Sequence, residues 1–187
     1  MIGDNFMWFP DSSGPKIQGE TSDKWFSQRK AFELLNFSFA MTCDESTEAK
    51  GASGAGAGKA KFNAFTIDKT VDSASVPLYK ACSQGTVFPT IMLAVRKAGG
   101  SSLLYLQYIF RYNQVTGITW SGGSGNEAPK EQMTFSFKAM GLQYIQQLAD
   151  GREGNRQQWA WNTSDQGGCT LDIKGIEPAP NYLPGNG

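Results

Sequence analysis

The sequence predicts a mainly β fold, an antiparallel β-barrel or sandwich with one short α-helix. Two features of the composition favour strands joined by tight turns: glycine is frequent, with 22 of 187 residues, and 12% of the residues are aromatic. The third feature is spacing, because short apolar or alternating stretches are separated by turn residues along most of the chain. A chain of 20.3 kDa is the size of one domain and needs no disulfide or metal to fold.

Strand patterns occur throughout the first half of the chain. Short strands are predicted at residues 6–9 and 62–68. Between them, residues 34–41 (LLNFSFAM) alternate between apolar and polar side chains. This alternation predicts a strand with Ser38 on its polar face and with three apolar residues on the other face, namely Leu35, Phe37 and Phe39.

One helix of about ten residues is predicted from Ser75 onward. Ser75 is suited to cap its first turn, and Pro77 is tolerated there. Leu78 and Ala81 then share a face with Cys82, and Gly85 can adopt the left-handed conformation that ends a helix. We expect this helix to cover a sheet or to close one end of the barrel.

The second half of the chain contains the longest apolar stretch. Residues 103–112 (LLYLQYIFRY) predict a strand covered on both faces, either at the centre of a sheet or at a subunit contact. The pair Gly99-Gly100 predicts a hairpin turn that joins it to a strand at residues 91–95. Gly141 predicts a bulge or bend after the alternating residues 134–138. Further strands are predicted at residues 115–120, 143–147 and 158–162.

Two segments lie outside this pattern. Residues 44–61 (DESTEAKGASGAGAGKAK) contain no large apolar side chain and predict a mobile loop rich in glycine and alanine. Residues 163–187 contain three prolines and predict an irregular tail that is too short to form a second domain. The predicted organisation is therefore a β-barrel domain over residues 1–162, including the loop 44–61, followed by the C-terminal tail 163–187.

The composition excludes most catalytic machinery. Histidine is absent, so the chain alone cannot form a Ser-His-Asp triad, a Cys-His pair or a histidine metal site. Seventeen basic residues balance seventeen acidic ones, and the zero net charge argues against nucleic acid or an anionic membrane as a partner. We therefore predict a protein that is not an enzyme, with no metal, no nucleic-acid partner and no membrane insertion.

Two motifs that suggest chemistry do not meet its requirements. The glycine-rich string at residues 54–59 (GAGAGK) lacks the first glycine of a P-loop and the hydroxyl residue after Lys59, so no nucleotide cofactor is predicted. The acidic residues Asp44, Glu45 and Glu48 lie in the predicted solvated loop, where no carboxylate has the environment of a glycosidase acid. Cys43, Cys82 and Cys169 are far apart and odd in number, which is typical of free thiols.

The start of the chain indicates where the protein is made. Residues 1–10 contain Asp4 and lack a basic region followed by a long apolar run, which predicts that no signal peptide is present. The longest apolar run is far shorter than the roughly 20 residues of a membrane-spanning helix. We expect synthesis in the cytoplasm.

Several short sequence motifs occur in this chain in an order that is known from one protein family. The strongest is VRKAGG at residues 95–100, followed by Tyr105-Leu106 and by a segment that ends in SGGSG at residue 125. Weaker ones are Gly19-Glu20-Thr21, the glycine-rich residues 51–59, the strand-then-helix segment 65–85 and the pair Phe135 and Phe137. The ordered set covers roughly residues 4–162 and resembles the Hcp family, the tube-forming proteins of bacterial type VI secretion systems.

The resemblance implies a fold, an assembly and a route of export. The fold would be an antiparallel β-barrel of two sheets with one short α-helix at one side. Six subunits would form a ring, and rings would stack into a hollow tube inside a contractile sheath and beneath a spike protein. Small effector proteins would ride in the lumen, and the protein would be secreted through the type VI system without a cofactor. A tube protein of a related phage-like contractile injection machine is a variant of the same hypothesis.

The resemblance also implies roles for particular residues. Phe37-Ser38-Phe39 occupies the place of the family's aromatic-Ser-aromatic segment, so Ser38 is a candidate for a lumen contact with effectors, and Phe37 and Phe39 for the wall. A solvent-facing strand serine without such a role explains the same pattern. The loop corresponds to the family's protruding loop, which contacts the next subunit or ring, through Asp44, Glu45, Glu48, Lys50, Gly54, Gly56, Gly58 and Lys59.

A second hypothesis comes from the five tryptophans. The chain could be a non-enzymatic β-sandwich that binds carbohydrate or protein through Trp8, Trp25, Trp120, Trp159 and Trp161. Packing in a core or interface is, however, the more common role of tryptophan and is favoured for these residues. The tube hypothesis predicts a closed ring. The binding hypothesis predicts a monomer or dimer whose tryptophan fluorescence responds to sugar.

Overall fold

The computed structural model describes residues 4–10, 16–43, 60–97, 104–124, 128–169 and 171. Within these residues it is mainly β, as predicted, with one α-helix, α1 (Ser75–Gln84), and a short 3-10 helix at Ser27–Arg29. The strands are β1 (Asp4–Trp8), β2 (Phe32–Leu34), β3 (Asn36–Ser38), β4 (Met41–Cys43), β5 (Ala60–Phe62), β6 (Phe65–Thr70), β7 (Val87–Arg96), β8 (Leu104–Ser121), β9 (Lys130–Ser136), β10 (Ala139–Gln147), β11 (Glu153–Asn162) and β12 (Gly167–Gly168).

Ten strands form one antiparallel sheet with two branches, and β4 and β5 form a separate pair. The first branch runs β12-β11-β10-β8-β7-β1-β2, and the second runs β3-β6-β9-β8. Strand β8 belongs to both, because residues 106–111 pair with β10 and residues 114–121 pair with β9. On the other side only Leu35 separates β2 from β3. The ladder of the described residues is interrupted there, so the barrel is not closed by continuous hydrogen bonding.

The main core lies between the two branches and is dominated by aromatic rings. Phe65 of β6 stacks on Phe110 of β8 with ring centroids 4.6 Å apart, and Phe135 of β9 lies 6.0 Å from Phe65. All three side chains are fully buried. Burial of rings of this size is the principal stabilising contribution, roughly 2–3 kcal/mol for each side chain.

The first half of β8 is buried on both faces, as predicted, but the cover comes from the chain itself. Tyr108 and Phe110 face the main core, whereas Leu104 and Ile109 face a second apolar cluster on the outer side of the same branch. We call this the outer cluster; its buried members are Phe6, Trp8, Trp25, Phe26, Ala31, Met92, Ala94, Leu104 and Ile109. The apolar outer face therefore does not require a neighbouring subunit at this point, because residues 25–31 already cover it.

Arg96 attaches this cover to the sheet. Its guanidinium donates hydrogen bonds to Asp4, at 2.8 Å, and to Asp23, at 2.5 Å, and it lies 5.0 Å from the ring of Phe6. Partial burial by itself raises the pKa of Asp23, but hydrogen bonds from the Phe26 N–H, Arg96 and the Trp25 N–H outweigh it, so the pKa lies below its usual value. The ionised carboxylate thus holds the start of the covering segment in place.

The N-cap of helix α1 is not the residue that the sequence predicts. Ala74 is the N-cap residue, so the prediction that Ser75 caps the helix is wrong. The Ser75 hydroxyl is instead buried beneath the helix, where it donates to Glu131 and accepts from the N–H of Asp72. Gly85 ends the helix at a φ of 64°, as predicted.

Three strand predictions are corrected by the backbone. Leu35 is 56% exposed and Leu34 is buried, because a bend at Leu35 separates β2 from β3 and shifts the alternation. The break after β9 falls at residues 137–138, and Gly141 pairs regularly with Ile109 inside β10. The two strands predicted between residues 103 and 120 are one strand, which passes from the first branch of the sheet to the second near Tyr112, where φ is 53°.

None of the helices in the described part of the chain combines the length and apolar character needed to cross a membrane.

Candidate functional site

Ser38 lies on the outer face of the second branch, at one end of a row of small residues. It is exposed and pairs directly with Thr66 of β6, which pairs in turn with Thr134 of β9. Gly117 of β8 completes the row. Since directly paired residues of antiparallel strands point to the same face, the three hydroxyl-bearing side chains lie side by side.

The next row along the same face is built from amides and a carboxylate. Asn36 pairs with Asp68, Asp68 with Gln132, and Gln132 with Thr119. The two oxygens of Asp68 accept separate hydrogen bonds, one from Asn36 Nδ2 at 3.3 Å and one from Gln132 Nε2 at 2.9 Å. These contacts hold the carboxylate in a defined orientation between two amides.

We call these two rows the polar face. Its members are Asn36, Ser38, Thr66, Asp68, Gly117, Thr119, Gln132 and Thr134. Every side chain on it is small or of medium length, and the only ionisable one is Asp68. Such a surface offers hydroxyl and amide groups for hydrogen bonding and has no apolar anchor. It is suited to weak polar contact with another molecule rather than to catalysis.

Phe37 and Phe39 point away from the polar face and fix the strand to the core. Phe37 packs edge-on against Tyr108 with centroids 5.8 Å apart, and Phe39 contacts Tyr108 at 5.2 Å and Phe110 at 6.0 Å. Burial, with a smaller contribution from Tyr105, raises the pKa of Tyr108 to about 12, so that its hydroxyl stays neutral. The alternation predicted for these three residues is therefore correct, although the alternation does not extend to Leu35.

The residues predicted for subunit contacts fall outside the described part of the chain. These residues are Asp44, Glu45, Glu48, Lys50, Gly54, Gly56, Gly58 and Lys59. The strands on either side of them are described: β4 and β5 pair in an antiparallel ladder in which Cys43 lies opposite Ala60. The segment 44–59 thus connects the two strands of a hairpin that stands apart from the main sheet.

Three aromatic side chains form a row near this hairpin, and their contact was not predicted from the sequence. Trp159 and Trp161 lie on one face of β11 and are nearly parallel, with centroids 6.1 Å apart. Phe62 of β5 stacks on Trp159 at 6.3 Å and contacts Phe137 edge-on at 6.1 Å. The i, i+2 spacing of the tryptophans signals the shared face, but only the fold brings Phe62 to it. A cavity of about 330 Å³ lies beside Phe62 and Phe137.

A second exposed aromatic pair lies on the helix. Tyr79 of α1 and Trp120 of β8 contact each other with centroids 5.6 Å apart, and their exposed fractions are 56% and 49%. Val76, one turn earlier on the helix, is 68% exposed. This apolar surface has no cover among the described residues, which is typical of a protein contact.

The described residues contain no group of three or more His, Cys, Asp or Glu side chains that could bind a metal ion. Cys82 and Cys169 are free thiols, as predicted.

The strand order, the single helix and the position of the aromatic-Ser-aromatic segment can be compared with known proteins. A family model described as the type VI secretion system effector Hcp matches residues 6–144. The chain belongs to the Hcp family. Hcp proteins are secreted structural components of type VI secretion systems, and the family is not known for enzymatic activity.

Individual Hcp proteins show the same relationship. Protein hcp1 of Pseudomonas aeruginosa is 30% identical over 106 residues, which make up 56% of this chain and 65% of that relative. A solved type six secretion system protein is 26% identical with a TM-score of 0.78, and Hcp1 from Salmonella typhimurium is 25% identical with a TM-score of 0.71. Both comparisons cover 90% of this chain and 100% of the solved chain.

Proposed function

We propose that this Hcp-family chain is the subunit of a type VI inner tube. Six copies form a ring, rings stack into a hollow tube, and small effector proteins are carried in the lumen. The tube is assembled in the cytoplasm inside the contractile sheath and beneath the spike, and it leaves the cell through the type VI system. The observation that carries this proposal is the polar face around Ser38, in a chain of this family.

The two outer faces of the sheet support the assignment of the lumen. On the first branch, Trp25 and Phe26 already cover Phe6 and Trp8 within the outer cluster. The second branch presents hydroxyl and amide groups to solvent. A lumen that must hold cargo and then release it needs a surface without strong apolar adhesion, and the polar face meets this requirement.

Ring closure requires two different surfaces on each subunit, because contacts in a cyclic hexamer are head-to-tail. The uncovered pair Tyr79 and Trp120 is one candidate, since exposed aromatic residues are favoured at the centres of interfaces. The edge of β11 is a second candidate. Among the described residues, β12 pairs only with Trp161 and Asn162, and the preceding residues of β11 lie at the sheet edge.

The oligomeric state tests the tube proposal directly. Light scattering on the purified chain is expected to give six times the 20.3 kDa of one subunit, and negative-stain images of the same peak are expected to show annular particles. A monomer at high concentration contradicts the ring.

In that case a carbohydrate-binding module becomes the better hypothesis. The row formed by Phe62, Trp159 and Trp161 and its adjacent cavity favour it. A change in tryptophan fluorescence on addition of sugar would support it.

Ser38→Gln is expected to weaken cargo retention while the ring stays intact. The longer amide side chain fills space above the hydroxyl row without altering the packing of Phe37 and Phe39 on the opposite face. Retention is measured by co-purification of co-expressed effectors, and ring formation by light scattering. Glu33→Gln, at an exposed position of the neighbouring strand β2, is the matched control and should leave retention unchanged. If Ser38→Gln retains every effector as well as the parent chain does, Ser38 does not contact cargo in the lumen.

Shortening residues 50–58 is expected to reduce ring stacking more than folding. This segment contains no large apolar side chain, so it adds little to a core that lies between the two branches. Stacking is followed by the length of tubes in electron micrographs at high concentration, and folding by thermal denaturation of the same sample. Loss of the folded subunit would show that the segment is part of the core structure.

A further inference from the structure

A single carboxylate lies among the hydroxyl and amide groups of the polar face. Asp68 of β6 is half-buried, and its two oxygens accept hydrogen bonds from Asn36 Nδ2 and from Gln132 Nε2. Because a carboxylate only accepts hydrogen bonds, both amides must turn their nitrogen atoms toward it. Their carbonyl oxygens consequently turn away from Asp68 and place one further acceptor on either side of it.

The row around Asp68 is therefore rich in hydrogen-bond acceptors and negatively charged. Each carboxylate oxygen has a second lone pair that its amide partner does not use, and the amides approach along the sheet from the two neighbouring strands. The side of the carboxylate that faces away from the sheet is left for a ligand. Such a ligand must carry donors, a positive charge and no acceptor.

The guanidinium group of arginine has these properties. It presents five N–H donors in a planar fork, has no acceptor, and binds the two oxygens of a carboxylate through two parallel hydrogen bonds. A lysine ammonium group carries the same charge but lacks this fork and is more strongly hydrated. Asp68 is held in a fixed orientation by its two amides, which favours the ligand whose hydrogen bonds have a fixed geometry.

The neighbouring rows determine on which side of Asp68 the rest of the guanidinium lies. On one side is Lys130, which is exposed and positively charged. On the other side is the hydroxyl row, formed by Ser38, Thr66 and Thr134. Repulsion by the ammonium group disfavours the first side, whereas the hydroxyl oxygens can accept the N–H groups that the carboxylate does not bind.

We propose that Asp68 and the hydroxyl row bind arginine side chains on the surface of the carried effectors, an inference that rests on the proposed function, since the polar face lines a lumen only in the ring. Six copies of Asp68 then face one cargo protein, and their individual contacts reinforce one another through multivalency. Each contact is open to water and weak by itself, so the cargo is retained without being bound irreversibly.

Two peptides of equal charge test the site on the full chain. Labelled tetra-arginine and tetra-lysine are titrated with the purified protein, and binding is followed by fluorescence polarisation. We expect tetra-arginine to bind about tenfold more tightly than tetra-lysine, and Asp68→Asn to weaken its binding about tenfold, the effect of losing one charge-assisted hydrogen bond. Asp150→Asn is the matched control, because it removes the same charge from an exposed turn outside the polar face.

Light scattering on the same samples separates the arginine site from the tube. If rings form but bind both peptides equally, or if Asp68→Asn and Asp150→Asn have equal effects, the arginine site is wrong and the tube proposal stands. A monomer that still prefers tetra-arginine through Asp68 supports the site and contradicts the tube.

A measurement on the unmodified chain makes the test independent of how well Asp68→Asn folds. The side-chain amide NMR signals of Asn36 and Gln132 are recorded as tetra-arginine is added. We expect both to shift, because the ligand changes the charge on the carboxylate that they contact. Signals that stay unchanged at saturating peptide overturn the proposal.

Discussion

Replacing Lys69 by Met is expected to destabilise the protein by about 3–5 kcal/mol, because it leaves a buried carboxylate without its cation. Lys69 Nζ lies 2.7 Å from Glu131 Oε1 and 2.6 Å from Asp72 Oδ1, and it donates to the carbonyl of Thr70 at 2.9 Å. The side chains of Lys69 and Glu131 are both completely buried. Chemical denaturation of the variant and the parent chain measures the difference.

Two further variants separate the ion pair from simple packing. Glu131→Gln is expected to cost less than Lys69→Met, since Asp72 still faces the ammonium. The double variant Lys69→Met/Glu131→Leu is expected to recover much of the loss, because no unpaired charge remains in the core. A double variant as unstable as Lys69→Met alone would show that the cost comes from packing rather than from the unpaired carboxylate.

This ion pair also has a consequence for assembly. Ser75, in the first turn of α1, donates to Glu131 at 2.5 Å, so the network holds the helix that carries Tyr79. If Tyr79 belongs to the ring contact, Glu131→Gln should weaken ring formation at concentrations where the subunit is still folded. The mass measured by light scattering as a function of dilution distinguishes this effect from unfolding.

Gly19→Ala is expected to destabilise the fold by about 3 kcal/mol or more, through overpacking of backbone atoms that cannot move apart. A methyl group at this position would lie 2.4 Å from the carbonyl oxygen of Ala31 and 2.6 Å from Cβ of Phe32. Ala31 and Phe32 are buried, and the N–H of Gly19 is bonded to the carbonyl of Lys30 at 2.9 Å. Thermal denaturation of the variant measures the loss.

Gly123→Ala provides the matched control. No atom of the described residues lies within 4 Å of a methyl group at Gly123, so the effect of the substitution should stay within about 0.5 kcal/mol. Equal effects of the two substitutions would contradict the close approach of residues 19 and 31. The comparison also tests why the early turn Gly19-Glu20-Thr21 begins with glycine. The reason is the lack of room for a side chain beside Ala31 and Phe32, since φ at Gly19 is not in the left-handed region.

The strands and the helix were predictable because their signals are local. The alternation at residues 36–39 places Phe37 and Phe39 in the core and Ser38 in solvent, which is what the structure shows. Gly85 marks the end of α1 for a similar reason, since few other residues adopt its left-handed conformation without strain. The bend at Leu35 was not predicted because the apolar and polar alternation continues through this residue. The bend arises because β2, before it, pairs with β1, whereas β3, after it, pairs with β6.

The candidate site shows the same difference between what local signals predict and what only long-range contacts decide. Ser38 was found from its place in a strand and from a family resemblance, but its neighbours were not. Asp68 is bound by Asn36, 32 residues earlier, and by Gln132, 64 residues later, and no short-range pattern relates residues so far apart. The aromatic row of Phe62, Trp159 and Trp161 depends in the same way on long-range contact.

The sequence by itself determined the fold class, the absence of histidine chemistry and the family of this protein. These properties depend on composition, on periodicity within a strand or helix turn, and on the order of short motifs along the chain. The tertiary structure alone decided that residues 25–31 cover the outer face of β8, that Lys69 and Glu131 meet in the core, and that Asn36 and Gln132 meet at Asp68. Each of these results from pairing between strands distant in sequence, and the free energy of such contacts depends on partners that no local pattern specifies.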